Sequence, residues 1–303
     1  MKDLTWSNYL ELNKIINDKK ANSDPLTPII LVQWINYGYV FKYRLNDDSV
    51  ILYTKEKING GDEIKWTVLT IYYNDSSNIK QIKKIIQEDL FILNNEEGIY
   101  FSHINNKIIN DFELKQENIR IVPYISNFIY ETEKLKTFAG KKLQKKRNHL
   151  NHFIKNNNNN IEIKDLKDVN LDSIKDFIKY HNAKYTDENR DIELELYVKY
   201  FEKFQIDKNY IGTVIFIDNK IVGFTFSYIN NETLEIVIEK AEKDIRGVYQ
   251  YLIKTNLELH NINTKYVERG DDGGIEALKQ SKLSYYPIIT LERFSLTVTG
   301  KFI

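Results

Sequence analysis

The chain has 303 residues, room for two domains at about 100–200 residues each, and 42% of them are hydrophobic and 28% charged. Lys plus Arg and Asp plus Glu both total 43, and this zero balance excludes a generally basic nucleic-acid coat while leaving room for a local basic patch. There is no cysteine, which excludes disulfides and thiolate metal sites, and no apolar run approaches the ~20 residues that cross a bilayer.

The first half opens with helical patterns over 7–17 and 29–35. Strands over 38–45 and 50–54 flank the turn Asn46-Asp47-Asp48, and a third strand covers 66–73. A helix over 78–93 carries Ile79, Ile82, Ile86 and Leu90 on one face. A strand at 98–101, a short helix and a strand at 119–124 follow. Residues 130–155 read as a charged helix leading into the Asn-rich turn 156–160.

The second half repeats the order: helices over 170–181 and 192–204, then strands over 211–217 and 221–228 around Asp218-Asn219. A strand over 233–239, a helix over 246–260, a short strand at 266–267, a helix over 273–281 and a strand over 288–294 complete it. Matching element order predicts an α/β (α+β) protein made by duplication. The expected domains are 1–128 and 129–303, the second with a helical insertion near 130–160. The start Met1-Lys2-Asp3 lacks the apolar core of a signal peptide, so the expected place is cytoplasmic, or at most peripheral to a membrane.

Four stretches carry residue types suited to chemistry. Lys141, Lys142, Lys145 and Lys146 fall on one broad helix face, which is either an ordinary solvated surface or a seat for the phosphates of RNA, a cofactor or anionic lipid. Arg147 falls on the apolar stripe of Ala139, Leu143, Leu150 and Ile154, so a carboxylate or a ligand is expected beside it. A strand ends at Glu239-Lys240 and a helix starts near Arg246-Gly247, with Tyr249 and Gln250 following. Strand alternation puts Glu239 and Lys240 on opposite faces, and helix starts attract anions. Glu239 is then either a site carboxylate or half of a structural ion pair.

In Glu268-Arg269-Gly270-Asp271-Asp272, the aspartates either cap the next helix or supply a general base. Lys282 and Tyr285 precede the last strand, and Tyr285 is either a proton donor or a core-edge aromatic. The histidines are scattered, and no metal site is expected.

Tyr130-Glu131-Thr132-Glu133-Lys134-Leu135, Gly140-Lys141-Lys142, Lys145-Lys146-Arg147-Asn148-His149, Glu239-Lys240-Ala241, Asp244-Ile245-Arg246-Gly247, Tyr249-Gln250 and Lys282-Leu283-Ser284-Tyr285 together resemble the DUF2156 family. This group includes the C-terminal catalytic domain of phosphatidylglycerol lysyltransferases. The resemblance implies two tandem GNAT-like domains, as in the Fem-type aminoacyl transferases, each a mixed sheet flanked by helices. It implies transfer of an acyl or aminoacyl group from acyl-CoA or aminoacyl-tRNA to an amine or hydroxyl of a lipid head group, peptide or small molecule, with no tightly bound cofactor.

On that reading Glu239, Asp271 and Tyr285 are the catalytic candidates. Lys240, Arg246, Gly247, Tyr249, Gln250 and Lys282 hold the donor, and Lys141, Lys142, Lys145, Lys146 and Arg147 hold phosphate. Arg246-Gly247 matches the GNAT pyrophosphate loop, and Tyr249 stands where a second Gly is usual. The competing reading is a non-catalytic protein on the same scaffold, binding RNA or an anionic ligand through the basic helix.

Overall fold

The computed structural model describes residues 1–19, 24–57, 62–93, 98–114, 119–157, 160–185, 190–204, 206–299 and 302. Asn158 and Asn159 of the expected turn lie outside that set. The chain divides into two units, Met1–Ser126 with Leu291–Ile303, and Asn127–Thr290.

Unit 1 begins with β1 (Lys2–Asp3), α1 (Tyr9–Asp18), α2 (Pro28–Leu31) and a 3-10 turn over Val32–Tyr37. There follow β2 (Phe41–Leu45), β3 (Ser49–Lys57), β4 (Ile64–Tyr73), α3 (Ile79–Ile92), β5 (Ile99–Asn105), α4 (Asn106–Asp111) and the start of β6 (Ile119–Glu131). The spacing of Ile82, Ile86 and Leu90 turns one face of α3 inward onto Tyr53, Ile71 and Phe101 of the sheet. Pro28 opens α2 at a position whose N–H has no partner to lose.

Unit 2 takes up the end of β6, then α5 (Thr132–Thr137), α6 (Gln144–Asn157), β7 (Ile161–Asp165), α7 (Leu171–Tyr185) and α8 (Arg190–Lys203). It continues through β8 (Tyr210–Ile217), β9 (Lys220–Asn230), β10 (Thr233–Ala241), α9 (Val248–Leu259), β11 (Tyr266–Asp271) and α10 (Glu276–Leu283). The β8–β9 turn has φ of 51° at Asp218 and 60° at Asn219, the left-handed pair that tight hairpins require and that Asp and Asn tolerate. The chain ends with β12 (Ile289–Val298).

The sheet of unit 1 runs β1-β2-β3-β4-β5-β12, and that of unit 2 runs β6-β11-β10-β9-β8-β7. In each, one inner pair is parallel, β4 with β5 and β10 with β11, and the other assigned pairs are antiparallel. The last strand therefore differs from expectation. Sequence order puts it at the end of the second domain, yet β12 pairs with β5 of unit 1, while Asn127–Glu131 of β6 pairs with β11 of unit 2. The two closing strands are exchanged relative to sequence order.

The expected single helix over 130–155 is also corrected. Tyr130 and Glu131 end β6, and α5 and α6 are separate helices. Phe138 and Gly140 between them adopt positive φ (49° and 90°), which breaks the helical path. Lys141 and Lys142 consequently sit before α6 rather than on it.

Candidate active site

In unit 2 the parallel register of β10 and β11 covers Thr233↔Tyr266, Leu234↔Val267 and Glu235↔Glu268. Just past it, β10 carries a register irregularity between Ile236 and Ile238. Beyond these pairs Arg269 reaches across to Glu239. Its Nε donates to Oε2 at 3.1 Å, and its Nη2 donates to Oε1 at 2.7 Å and Oε2 at 2.8 Å. Both carboxylate oxygens of Glu239 are thus engaged, and the two side chains are only 8% and 13% exposed. Lys240, on the other face, donates to Asn182 Oδ1 and Glu193 Oε1, both at 2.7 Å.

The Arg269 guanidinium lies 4.5 Å from the ring centre of Tyr285 and 5.9 Å from that of Tyr130. Lys146 Nζ lies 3.9 Å from the centre of the Tyr285 ring. Burial, with Arg269 and Lys145 nearby, lowers the Lys146 ammonium to a pKa of about 8. Tyr285 is buried, its hydroxyl accepts from Gln250 Nε2, and burial raises its pKa. Lys282 donates to the carbonyls of Arg269 and Gly270, and burial lowers its pKa.

Three carboxylates cluster at the end of β11. Glu268 is buried, accepts from Asn127 Nδ2 at 3.1 Å on Oε1, and leaves Oε2 without a hydrogen bond; burial raises its pKa. Asp272 caps the turn into α10 by accepting from Gly274 N at 3.0 Å. Asp271 accepts from Gly273 N at 2.7 Å through Oδ1 and is half-buried. Glu268 lay inside a stretch the sequence singled out, but burial is what separates it from its acidic neighbours, and composition does not record burial.

At the α9 start, Gly247 has φ 91°, and a Cβ there would stand 2.1 Å from the His149 carbonyl oxygen and 2.9 Å from Phe153 Cβ. The glycine's close neighbour is α6 of the same chain. Arg246 is exposed, and it helps depress the His149 pKa, after burial and ahead of Lys146 and Lys145. His149 thus sits in the positive field of the other three. The Tyr249 hydroxyl donates to Ala241 O at 3.1 Å and accepts from Ala241 N at 3.3 Å. Among the described residues Arg147 forms no ion pair with a carboxylate; its Nη1 donates to the carbonyls of Phe138 at 2.5 Å and Gly140 at 3.2 Å, closing the break between α5 and α6. Lys141, Lys142 and Lys145 are exposed, with Lys142 5.5 Å from the Tyr286 ring.

The corresponding place in unit 1 is filled. Beyond the single parallel pair Val68↔Phe101, fully buried Arg293 donates to both oxygens of Asp24, at 2.8 and 2.9 Å, and to His103 O at 2.7 Å. Thr70 of β4 also donates to Asp24.

A family model described as phosphatidylglycerol lysyltransferase, C-terminal, matches residues 101–297. The chain belongs to this family. Its fold is that of tandem GNAT proteins, with mixed sheets flanked by helices. An uncharacterised protein of Mycoplasmoides gallisepticum is 29% identical over 310 residues, covering 98% of this chain and 99% of that one. Among solved structures, a conserved protein of unknown function from Bacteroides thetaiotaomicron covers 98% of both chains at 21% identity and a TM-score of 0.71. L-PGS from Bacillus licheniformis covers 96% of this chain and 92% of its own at 12% identity and a TM-score of 0.60. Family and fold together are those of acyl and aminoacyl transferases of the GNAT type. Among the described residues, no helix is long and apolar enough to cross a membrane.

Proposed function

We propose that the protein transfers an aminoacyl group from aminoacyl-tRNA to an amine or hydroxyl acceptor. One observation carries the choice of donor: the loop matching the acyl-CoA pyrophosphate cradle is filled from within. The Tyr249 hydroxyl engages the amide and carbonyl of Ala241, and the His149 carbonyl stands against Gly247. A tRNA end brings its own row of phosphates, and Lys145, Lys146 and Arg246, which together act on His149, offer positive charge to meet them.

In the proposed reaction the acceptor nitrogen or oxygen attacks the ester carbonyl of the donor. A new C–N or C–O bond forms, the ester C–O bond breaks, and the terminal ribose hydroxyl of the tRNA leaves. Glu239 is held at both oxygens by Arg269, so the base role falls to Asp271, whose Oδ2 takes no hydrogen bond among the described residues. Asp271 takes the proton from the nucleophile, and Lys146 returns one to the leaving hydroxyl, its pKa of about 8 suiting it to give up a proton near neutral pH. Tyr285, buried beneath Lys146, supports that ammonium with its ring instead of acting as the acid.

The test incubates the protein with radiolabelled aminoacyl-tRNAs and two acceptors, phosphatidylglycerol vesicles and amine-bearing peptides, beside an arm supplied with acetyl-CoA. Label transfer from tRNA that is lost in Asp271→Asn and Lys146→Met supports the reading. Acetyl transfer in its place, or no transfer from any aminoacyl-tRNA, overturns it.

A further inference from the structure

Unit 1 has lost the gap between its parallel strands to the Asp24–Arg293 pair, yet it holds a cavity elsewhere. This cavity, of about 230 Å³, is lined by residues of β3, β4, β5, β6 and β12, among them Glu56, Thr67, Tyr100, Arg120 and Tyr124. Its volume equals that of about eight waters in the liquid.

The Glu56 carboxylate takes its hydrogen bonds from hydroxyls. Thr67 Oγ1 donates to its Oε1 at 3.3 Å, and Ser102 adds a second hydroxyl. None of the ion pairs among the described residues involves Glu56: Lys57 pairs with Asp62, and Lys55 and Lys65 lie over the rings of Trp66 and Tyr100. Burial raises the Glu56 pKa, the mark of a carboxylate short of positive charge. The opposite polarity stands at the same cavity in Arg120 and Lys57, both exposed, with Lys57 already paired to Asp62. Tyr100, Phe101 and Tyr124 are also among its lining residues.

We propose that unit 1 carries a second binding site, for a small zwitterion of the amino-acid class, with the ammonium on Glu56 and the carboxylate on Arg120. An ammonium gives Glu56 the counter-charge that no ion pair among the described residues supplies. The guanidinium offers a fork that matches a carboxylate. The site does not depend on the transferase reading, because every group in it belongs to unit 1.

The test is calorimetric titration of the full chain with L-alanine, L-leucine and L-lysine, and with n-butylamine and butyrate as probes carrying one charge each. Binding of at least one amino acid at millimolar concentration or below is expected, with both single-charge probes at least tenfold weaker. Glu56→Gln and Arg120→Ala should each weaken that binding at least tenfold while thermal melts show an intact fold. If Glu56→Gln fails to fold, Arg120→Ala on the exposed rim gives the reading alone. No binding of any amino acid, equal binding of butylamine, or unchanged affinity in the folded variants overturns the proposal.

Discussion

Tyr249 closes on Ala241: one phenol hydroxyl serves both the carbonyl and the amide of the last residue of β10. Removing it takes that partner from the Ala241 amide, while the carbonyl keeps His181 Nε2 at 3.0 Å. Tyr249→Phe should destabilise unit 2 by about 1–2 kcal/mol, read as a shift in the urea midpoint at constant slope. The same variant should gain no acetyl-CoA binding, because the His149 carbonyl still stands against Gly247.

Gly247 tests the packing of α6 on α9. An added methyl would meet a carbonyl oxygen at 2.1 Å, at a φ of 91° that L side chains rarely adopt. Gly247→Ala should cost about 2–4 kcal/mol, from steric overlap and left-handed strain together. A thermal melt checks this without any knowledge of the donor.

Lys146 predicts a pH signature. Its folded pKa of about 8 lies below the ordinary 10.5, so between those values the unfolded chain binds more protons than the folded one. The Lys146 contribution to stability therefore rises as pH climbs from 8 toward 10.5. Lys146→Met should melt higher than the parent at pH 7, and the gap should close by pH 10.5. Donor RNA binding should run the other way, weakening in the parent as pH passes about 8 and the ammonium is lost.

Glu239 and Arg269 should behave as one unit. Glu239→Ala leaves a buried guanidinium unpaired, which costs about 3–5 kcal/mol. Glu239→Gln keeps the shape and should fold with a smaller loss. If Asp271 is the base, Glu239→Gln retains measurable label transfer where Asp271→Asn does not.

Element order and type were legible wherever apolar periodicity was local. The spacing of Ile82, Ile86 and Leu90 marks α3, and Asp218-Asn219 marks its hairpin. The Arg246-Gly247 helix start was legible too, but its purpose was not. The atoms crowding Gly247 come from His149 and Phe153, about a hundred residues earlier in the chain, and no local pattern reports them. Arg147 is a related case: an Arg on an apolar stripe asks for a partner, and no local pattern reports the two carbonyls at the broken helix end that its Nη1 meets. The break itself rests on Phe138 in a left-handed conformation, which bulky residues rarely signal. Asp24 and Arg293 are 269 positions apart, and neither stood out from its neighbours.

The exchanged closing strands bear on how the chain is made. During synthesis the N-terminal unit emerges first but lacks β12, and with it Arg293 to neutralise Asp24. Until Ile289–Val298 have left the ribosome, β5 presents an open edge and Asp24 carries its charge with no guanidinium to meet it. The unit made first is therefore completed last, and the nascent chain cannot bank a finished first domain while the second is still being translated.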